Sequence, residues 1–155
     1  MPNNVVIRAA CLADRPRVHD IASVAMREFG LEPDFDHLDR DLGQFGVLSQ
    51  TTITQLVAEL DGEIVGSLIL SRKSERVLKL SAFYVDSATR GKGIGKILLQ
   101  NAVVIAKQTS YTSIYLETWT TMFAAVHLYK SMGWQIVEKL DPSTGAEWSY
   151  VLELN

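Results

Sequence analysis

Val77-Leu78-Lys79-Leu80-Ser81-Ala82-Phe83-Tyr84-Val85-Asp86-Ser87-Ala88-Thr89-Arg90-Gly91-Lys92-Gly93-Ile94-Gly95-Lys96 is the stretch on which the fold turns. Val77 to Val85 reads as a strand and runs directly into the turn-forming Asp86 to Arg90. Behind the glycines a helix opens, with Ile94, Ile97, Leu98, Ala102 and Ile105 as its apolar stripe. Leu99 and Val103 lie off that stripe, so the helix is expected to be covered on more than one side. Upstream, Gln55 to Leu60 and Ile64 to Ser71 read as two more strands. Asp61-Gly62 between them is the strongest short-range hairpin signal, because a type I′ turn needs positive φ at both centres.

At the amino-terminal end, Val5-Val6-Ile7-Arg8 is β-branched and strand-like. Asp14 is placed to cap a helix with Pro16 in its first turn, followed at helical spacing by Val18, Ile21, Ala22, Ala25 and Phe29 and stopped by Gly30. Phe35, Leu38, Leu42 and Phe45 form a second helical patch ending at Gly46. Downstream, Ser113 to Thr118 reads as a strand. Met122, Ala125, Val126 and Tyr129 return to helical spacing, with Gly133 as C-cap. Trp134 to Leu140 and Trp148 to Leu154 close the chain as a strand pair around Asp141-Pro142-Ser143-Thr144-Gly145. Hairpins mixed with crossovers predict an α/β (α+β) fold, one mixed sheet with helices packed on it.

Composition agrees with a globular chain. Of 155 residues, 47% are apolar and 21% charged, which argues against disorder. A chain of this length is expected to be one domain, 1–155, and to fold without a disulfide or metal. Fifteen Lys and Arg against eighteen Asp and Glu give no surplus positive charge for sheathing nucleic acid. Cys11 is the single cysteine and fits a reducing cytosol. Met1-Pro2-Asn3-Asn4-Val5-Val6-Ile7 lacks the basic flank and apolar core of a signal peptide. No apolar run approaches the ~20 residues of a membrane helix. The expectation is a soluble, cytoplasmic protein without nucleic-acid or membrane partners.

Gly91, Gly93 and Gly95 between a strand and a helix allow close backbone approach to a ligand. The first N–H groups of that helix lack internal acceptors and carry the positive end of its dipole. A phosphate suits both. Walker A spacing fails, since Arg90 stands where its first glycine is needed and Ile97 follows Lys96. Rossmann spacing fails at Lys96 and at Leu98. A plain glycine-rich turn flanked by surface cations is the alternative.

The spacing does match Arg/Gln-x-x-Gly-x-Gly/Ala, as Arg90-Gly91-Lys92-Gly93-Ile94-Gly95. With it, the chain resembles the GNAT superfamily of acetyl-CoA-dependent N-acetyltransferases. The resemblance continues through Leu116-Glu117-Thr118 and Ala125-Val126-His127-Leu128-Tyr129-Lys130-Ser131-Met132-Gly133-Trp134, which is similar to the family's "LE…A…LYxxxGF" segment with Trp134 in place of Phe. It implies a GNAT-like domain whose central sheet is mixed but mainly antiparallel, with about six to seven strands flanked by about four helices. Acetyl-CoA is the implied cosubstrate, with no metal and an amine acceptor. Dimerisation is common in the family, so a homodimer is the corresponding expectation.

Roles follow from the resemblance residue by residue. The backbone of Phe83, Tyr84 and Val85 would pair with the pantetheine arm. The amides of Gly91, Lys92, Gly93, Ile94, Gly95 and Lys96 would hold the pyrophosphate, with Arg90, Lys92 and Lys96 adding charge. Tyr129 matches the family tyrosine beside the coenzyme sulfur, as general acid or as hydrogen-bond donor. A phenol of pKa about 10 gains little by protonating a thiolate of pKa about 8.5. Glu117 aligns with the base of ribosomal-protein alanine acetyltransferases. A base matters, because an alkyl amine is neutral in only about one molecule in 2,500 at pH 7. Met122 replaces the Asn of that subgroup, so its acceptor does not carry over. Other readings of the same residues are a packed helix tyrosine and a strand carboxylate held by neighbours.

Glu28, Glu32, Asp34, Asp36, Asp39 and Asp41 form an acidic run that is either a solvated face or the mouth of an acceptor pocket. His19, His37 and His127 are scattered without zinc spacing. Trp119, Trp134 and Trp148 read as core or pocket wall, with Trp119 closest in sequence to Glu117. No nucleophilic Cys or Ser motif suggests a covalent intermediate. Direct acetyl transfer to a primary amine in a ternary complex is the leading reading. The alternative is a non-catalytic acyl-CoA-binding sensor or interaction domain; a nucleotide-binding module is a third.

Overall fold

A computed structural model describes residues 4–119 and 121–155; Met1-Pro2-Asn3, part of the stretch read for a signal peptide, lie outside the described residues. The β-branched opening forms β1 (Val5–Ala9), and α1 (Arg15–Glu28) follows with Pro16 in its first turn. A single turn, α2 (Arg40–Gly43), leads to β2 (Thr52–Leu60), β3 (Glu63–Arg72) and β4 (Val77–Val85). Next, α3 (Ile94–Lys107) crosses over to β5 (Ser113–Thr118). The chain ends with α4 (Phe123–Ser131), β6 (Gln135–Lys139) and β7 (Trp148–Glu153). Asp61 and Gly62 take φ of 53° and 84°, the two positive values that the β2–β3 hairpin turn demands.

The seven strands form one sheet in the order β1-β2-β3-β4-β5-β7-β6. Every neighbouring pair is antiparallel except β4 with β5, which is parallel. Strand alternation sends Leu68, Leu70, Leu78 and Leu80 to one face, where they pack with Leu98, Leu99 and Ala102 of α3. The opposite face sends Val57 and Ile69 against Val18, Ala22 and Met26 of α1 and against Phe45. Each fully buried Leu contributes roughly 1.5–3 kcal/mol, so both helical layers are held by the hydrophobic effect. Among the described residues, no helix is long and apolar enough to cross a membrane.

Two local expectations are corrected. The 35–45 patch is helical only at Arg40–Gly43. Before it, Asp39 Oδ2 accepts the Asp34 main-chain N–H at 2.8 Å and Asp34 Oδ1 meets His37 Nδ1 at 3.0 Å. Such side-chain bonds compete with helix formation. Phe35 instead stacks on His19 of α1 at 4.1 Å. Its carbonyl lies where a Cβ on Gly43 would approach to 2.2 Å, so only glycine fits there.

Asp14 also departs from its expected part. It precedes α1 but makes no side-chain cap. Its carboxylate accepts two bonds from the Arg8 guanidinium, each at 2.9 Å, and the Cys11 N–H at 2.8 Å. Arg8 Nε reaches Glu59 at 2.6 Å, so one guanidinium joins β1, β2 and the entry to α1. Hydrogen bonding from Arg8 holds the Asp14 carboxyl below its ordinary value despite burial. Its stabilising contribution is therefore complete above the unfolded carboxyl pKa and is lost as pH falls through the depressed folded value. Asp14→Asn is expected to cost roughly 1–3 kcal/mol at neutral pH. Urea unfolding of the two proteins at progressively lower pH should converge; a gap that stays constant in acid would refute the assignment.

Candidate functional site

The site begins where β4 and β5 part. Their parallel ladder has three rungs, Val77 with Ser113, Leu78 with Ile114 and Lys79 with Tyr115. Beyond Lys79, β4 runs on to Val85 paired only with β3, while β5 runs on to Thr118 paired only with β7. The facing edges of 80–85 and 116–118 are therefore outside any ladder. Main-chain N–H and C=O groups seldom stay unpaired when buried, so an extended ligand suits this gap.

A β-bulge shapes the β4 edge. Ser67 pairs with Tyr84 and Ile69 with Ser81, leaving Ala82 and Phe83 together opposite Leu68. Ala82 sits at φ 54°, a conformation that costs a non-glycine residue about 1–2 kcal/mol. The fully buried Ser67 donates its Oγ–H to the Ala82 carbonyl at 2.8 Å and anchors the distortion. Backbone strain of this kind concentrates at functional sites.

At the far end of β4 the chain passes a short turn capped by Asp86, whose Oδ1 accepts the Ala88 N–H at 3.1 Å. Gly91 and Gly93 then take φ of 81° and 76°, which glycine adopts without strain. Gly93 caps α3. Ile97 N–H bonds Gly93 O at 3.1 Å, and the amides of the first turn ahead of it lack intrahelical acceptors. Gly95 faces Phe83 and Val85: a Cβ there would lie 3.5 Å from a side-chain atom of each. Lys92 and Lys96 are exposed. Arg90 is engaged with both carboxylate oxygens of Glu28 at the end of α1. Phosphate oxygens fit this cationic, amide-lined helix start.

The opening between β4 and β5 widens into a cavity of about 220 Å³. Phe83, Tyr84, Glu117 and Tyr129 all line it. Val85 and the glycine loop are not part of its wall and continue the β4 edge away from it. Tyr129 is buried among aromatic rings, with centroids 6.1 Å from Phe83, 5.6 Å from Trp134 and 5.9 Å from Tyr150. Burial pushes its phenol well above the ordinary tyrosine range, and Tyr84 and Tyr150 add to the shift. Tyr129 thus stays protonated as a hydrogen-bond donor.

Glu117 is the more accessible partner. Tyr115 donates its O–H to Glu117 Oε2 at 2.6 Å, and Lys79 Nζ stands 3.9 Å from Oε1. Burial, then the bond to Glu117, pushes the Tyr115 phenol up to about 12, so this donor is permanent at neutral pH. Lys73 covers the Tyr115 ring at 4.4 Å. One oxygen of Glu117 is firmly held and the other is only loosely approached.

The acidic run divides. Glu32, Asp39 and Asp41 line the cavity, whereas Glu28 is taken by Arg90 and Asp34 by His37. Trp119 lines the cavity, Trp134 is buried beside Tyr129, and His127 is exposed. Lys79, Ser81 and Tyr115 were not singled out in sequence. Alternation about Glu117 and Val77 puts Tyr115, Lys79 and Ser81 on one face, which was the available signal.

The comparisons agree with this geometry. The family model described as "Acetyltransferase (GNAT) family" matches residues 15–134. "Uncharacterized N-acetyltransferase YjgM" of Escherichia coli is 29% identical over 150 residues, covering 93% of this chain and 90% of that protein. Further curated relatives are longer proteins, of which the chain spans 27–43%. The crystal structure of a GNAT-family acetyltransferase from Staphylococcus aureus superposes with a TM-score of 0.84 at 23% identity, over 98% of this chain and all of that one. The structure of yncA from Salmonella typhimurium, described as "a putative acetyltransferase" with its cofactor acetyl-CoA, superposes with a TM-score of 0.72 at 21% identity, over 99% and 95% of the two chains. A parted parallel pair, a bulged strand and a glycine-started helix thus coincide with a family match over most of the chain, which belongs to the acetyltransferase (GNAT) family and is an acetyl-CoA-dependent N-acetyltransferase.

Proposed function

We propose that the chain transfers acetyl from acetyl-CoA to a primary amine by direct attack in a ternary complex, with the coenzyme along the β4 edge and the amine in the cavity. The observation that carries this reading is the three-rung ladder between β4 and β5, which leaves a strand edge unpaired between an amide-rich helix start and a cavity holding a carboxylate. When bound, acetyl-CoA supplies an activated thioester. Phe83 to Val85 would bond its pantetheine arm. The amides of Gly91 to Lys96, with the charges of Arg90, Lys92 and Lys96, would bind its phosphates. For Arg90 this means exchanging Glu28 for phosphate.

Glu117 takes the proton that the amine must lose before or during attack, directly or through water. Its Oε1, approached only at 3.9 Å by Lys79, is the free acceptor. Tyr115 holds the other oxygen and fixes the carboxylate's orientation. The main chain at the bulge is suited to stabilise the oxyanion that forms on the thioester carbonyl. Tyr129 bonds the departing sulfur through its O–H. Its raised pKa makes net proton donation to a thiolate unfavourable, so orientation and hydrogen bonding are its role.

Calorimetric titration tests the coenzyme half. Wild-type protein should bind acetyl-CoA with micromolar affinity, with ATP and NAD⁺ failing to compete. Gly93→Glu, which forces a side chain onto φ 76° and places a carboxylate at the phosphate site, should weaken binding by at least about tenfold. An unaffected affinity would remove the glycine loop from the site, and no wild-type binding would remove the function.

Tyr129→Phe tests the chemical half. The expected loss in kcat is about 10²-fold, with acetyl-CoA affinity changed by less than about twofold. Unchanged turnover would strike Tyr129 from the mechanism. Binding without thiol release on any amine would favour an acyl-CoA sensor.

A further inference from the structure

Among the described residues, the cavity has an orphaned hydroxyl at one end and two acids without a cation at the other. The hydroxyl is that of Ser81, whose Oγ is shielded from solvent and makes no hydrogen bond among the described residues. The last rung of the β4–β5 ladder joins Lys79 to Tyr115. Extending that register by one strand repeat sets Ser81 across the gap from Glu117, on the same face of the sheet. Both residues line the cavity. An amine nitrogen between them would satisfy the orphaned hydroxyl and lie beside the carboxylate that takes its proton.

The other end is Asp39 with Asp41. Among the described residues, neither carboxylate has a cation within ion-pair distance, although Glu32 has Arg27 at 3.2 Å and Asp34 has His37 at 3.0 Å. Asp39 is partly buried, and its side chain accepts only the Asp34 N–H among the described residues. Burial above all, with Asp34 and Asp41 adding to it, raises its carboxyl above the ordinary value. That is the condition of a carboxylate in need of a cation. Its charge is also felt by the Tyr84 phenol. Tyr84 lies beyond the bulge from Ser81, so the acidic end is displaced along β4 from the Ser81 end. Met26, Leu31, Leu42 and Leu80 supply apolar wall to the cavity. Among the described residues, Lys79 is the sole Lys or Arg of its wall, and that cation already faces Glu117.

We propose that the acceptor is a linear diamine, a primary amine carrying a second ammonium group across an apolar spacer. Its reacting nitrogen sits between Ser81 and Glu117 and its distal ammonium at Asp39 and Asp41. This rests on the acetyltransferase reading above. The reacting nitrogen enters as ammonium and loses one proton to Glu117. Its lone pair then forms the N–C bond while the C–S bond breaks. The nitrogen sheds its second proton to water as the C–S bond breaks. The sulfur keeps that bond's electron pair and leaves as the thiol after taking one proton from solvent. Glu117 returns its own proton to water, so one proton is released per acetyl transferred. The distal ammonium is unchanged. An α-amino acid would bring a carboxylate into an acid-rich cavity and is disfavoured by the same charges.

The test compares kcat/KM for linear diaminoalkanes of increasing length with that of n-alkylamines of equal carbon count and of free α-amino acids. It is paired with calorimetric titration of the diamines into the protein in the presence of CoA. Diamines should exceed matched monoamines by about tenfold or more, with an optimum in length. They should also bind measurably where monoamines do not. Asp39→Asn, which keeps an oxygen for the Asp34 N–H, and the exposed Asp41→Asn should each shrink that ratio several-fold while acetyl-CoA affinity holds. Ser81→Ala should lower kcat/KM for both amine series alike. Equal turnover of matched pairs, a preference for α-amino acids, or a ratio insensitive to both Asp variants overturns the proposal and leaves acetyl transfer standing. Absence of turnover with every amine also overturns it. Loss of acetyl-CoA binding in the wild type takes down the underlying reading as well.

Discussion

The candidate site depends on β4 and β5 staying paired for three residues and no more. A parallel pair that continued would satisfy both edges and close the sheet. Here the pair is held at its base by Leu78, Leu80, Ile114 and Leu116, packed with α3 into one core. The strands then diverge, each secured on its outer side by an antiparallel neighbour. The gap is thus built by neighbours that keep their own ladders intact. Opening it leaves main-chain groups unsatisfied along two strand edges, a cost that an extended ligand would offset.

The gap separates two electrostatic environments. Toward the end of β4, three cations and the start of α3 make a field for phosphate. Toward α1 and α2, the cavity carries Glu32, Asp39, Asp41 and Glu117 against Lys79. These fields suit the proposed arrangement, in which an anionic coenzyme and a cationic acceptor would be drawn to opposite sides of one strand. The Arg90–Glu28 pair spans the two regions, tying the glycine loop to the end of α1 just before Leu31 and Glu32 of the cavity wall. Buried aromatic rings around Tyr129 give the meeting point a low dielectric, which strengthens each interaction made there.

Much of the fold was legible because its signals are local. The Asp61-Gly62 hairpin, the strand bounds of Val77–Val85 and Ser113–Thr118, and the helix opened by Gly93 all rest on residues within one turn or one strand. The 35–45 segment was misread because its apolar spacing is helical while its acids cap and turn the backbone before α2. Asp14 was misread because its strongest partner, Arg8, lies on another strand, and a cap cannot compete with a guanidinium. In the site, Glu117 and Tyr129 were visible through motif spacing. Lys79, Ser81 and Tyr115 were not, since each matters through a neighbour from elsewhere in the chain, and Asp39 was visible only as one acid of the 28–41 run.

By itself, the amino-acid sequence determined the order of strands and helices, the glycine-started helix and the family, because turn chemistry, periodicity and motif spacing are properties of contiguous residues. Only the tertiary structure decided where the β4–β5 ladder ends, which residue of β4 is pushed out as a bulge, and which acids of the 28–41 run face the cavity. Those outcomes are set by register between strands and by charges brought together from distant segments. No window of sequence contains both partners of such a contact.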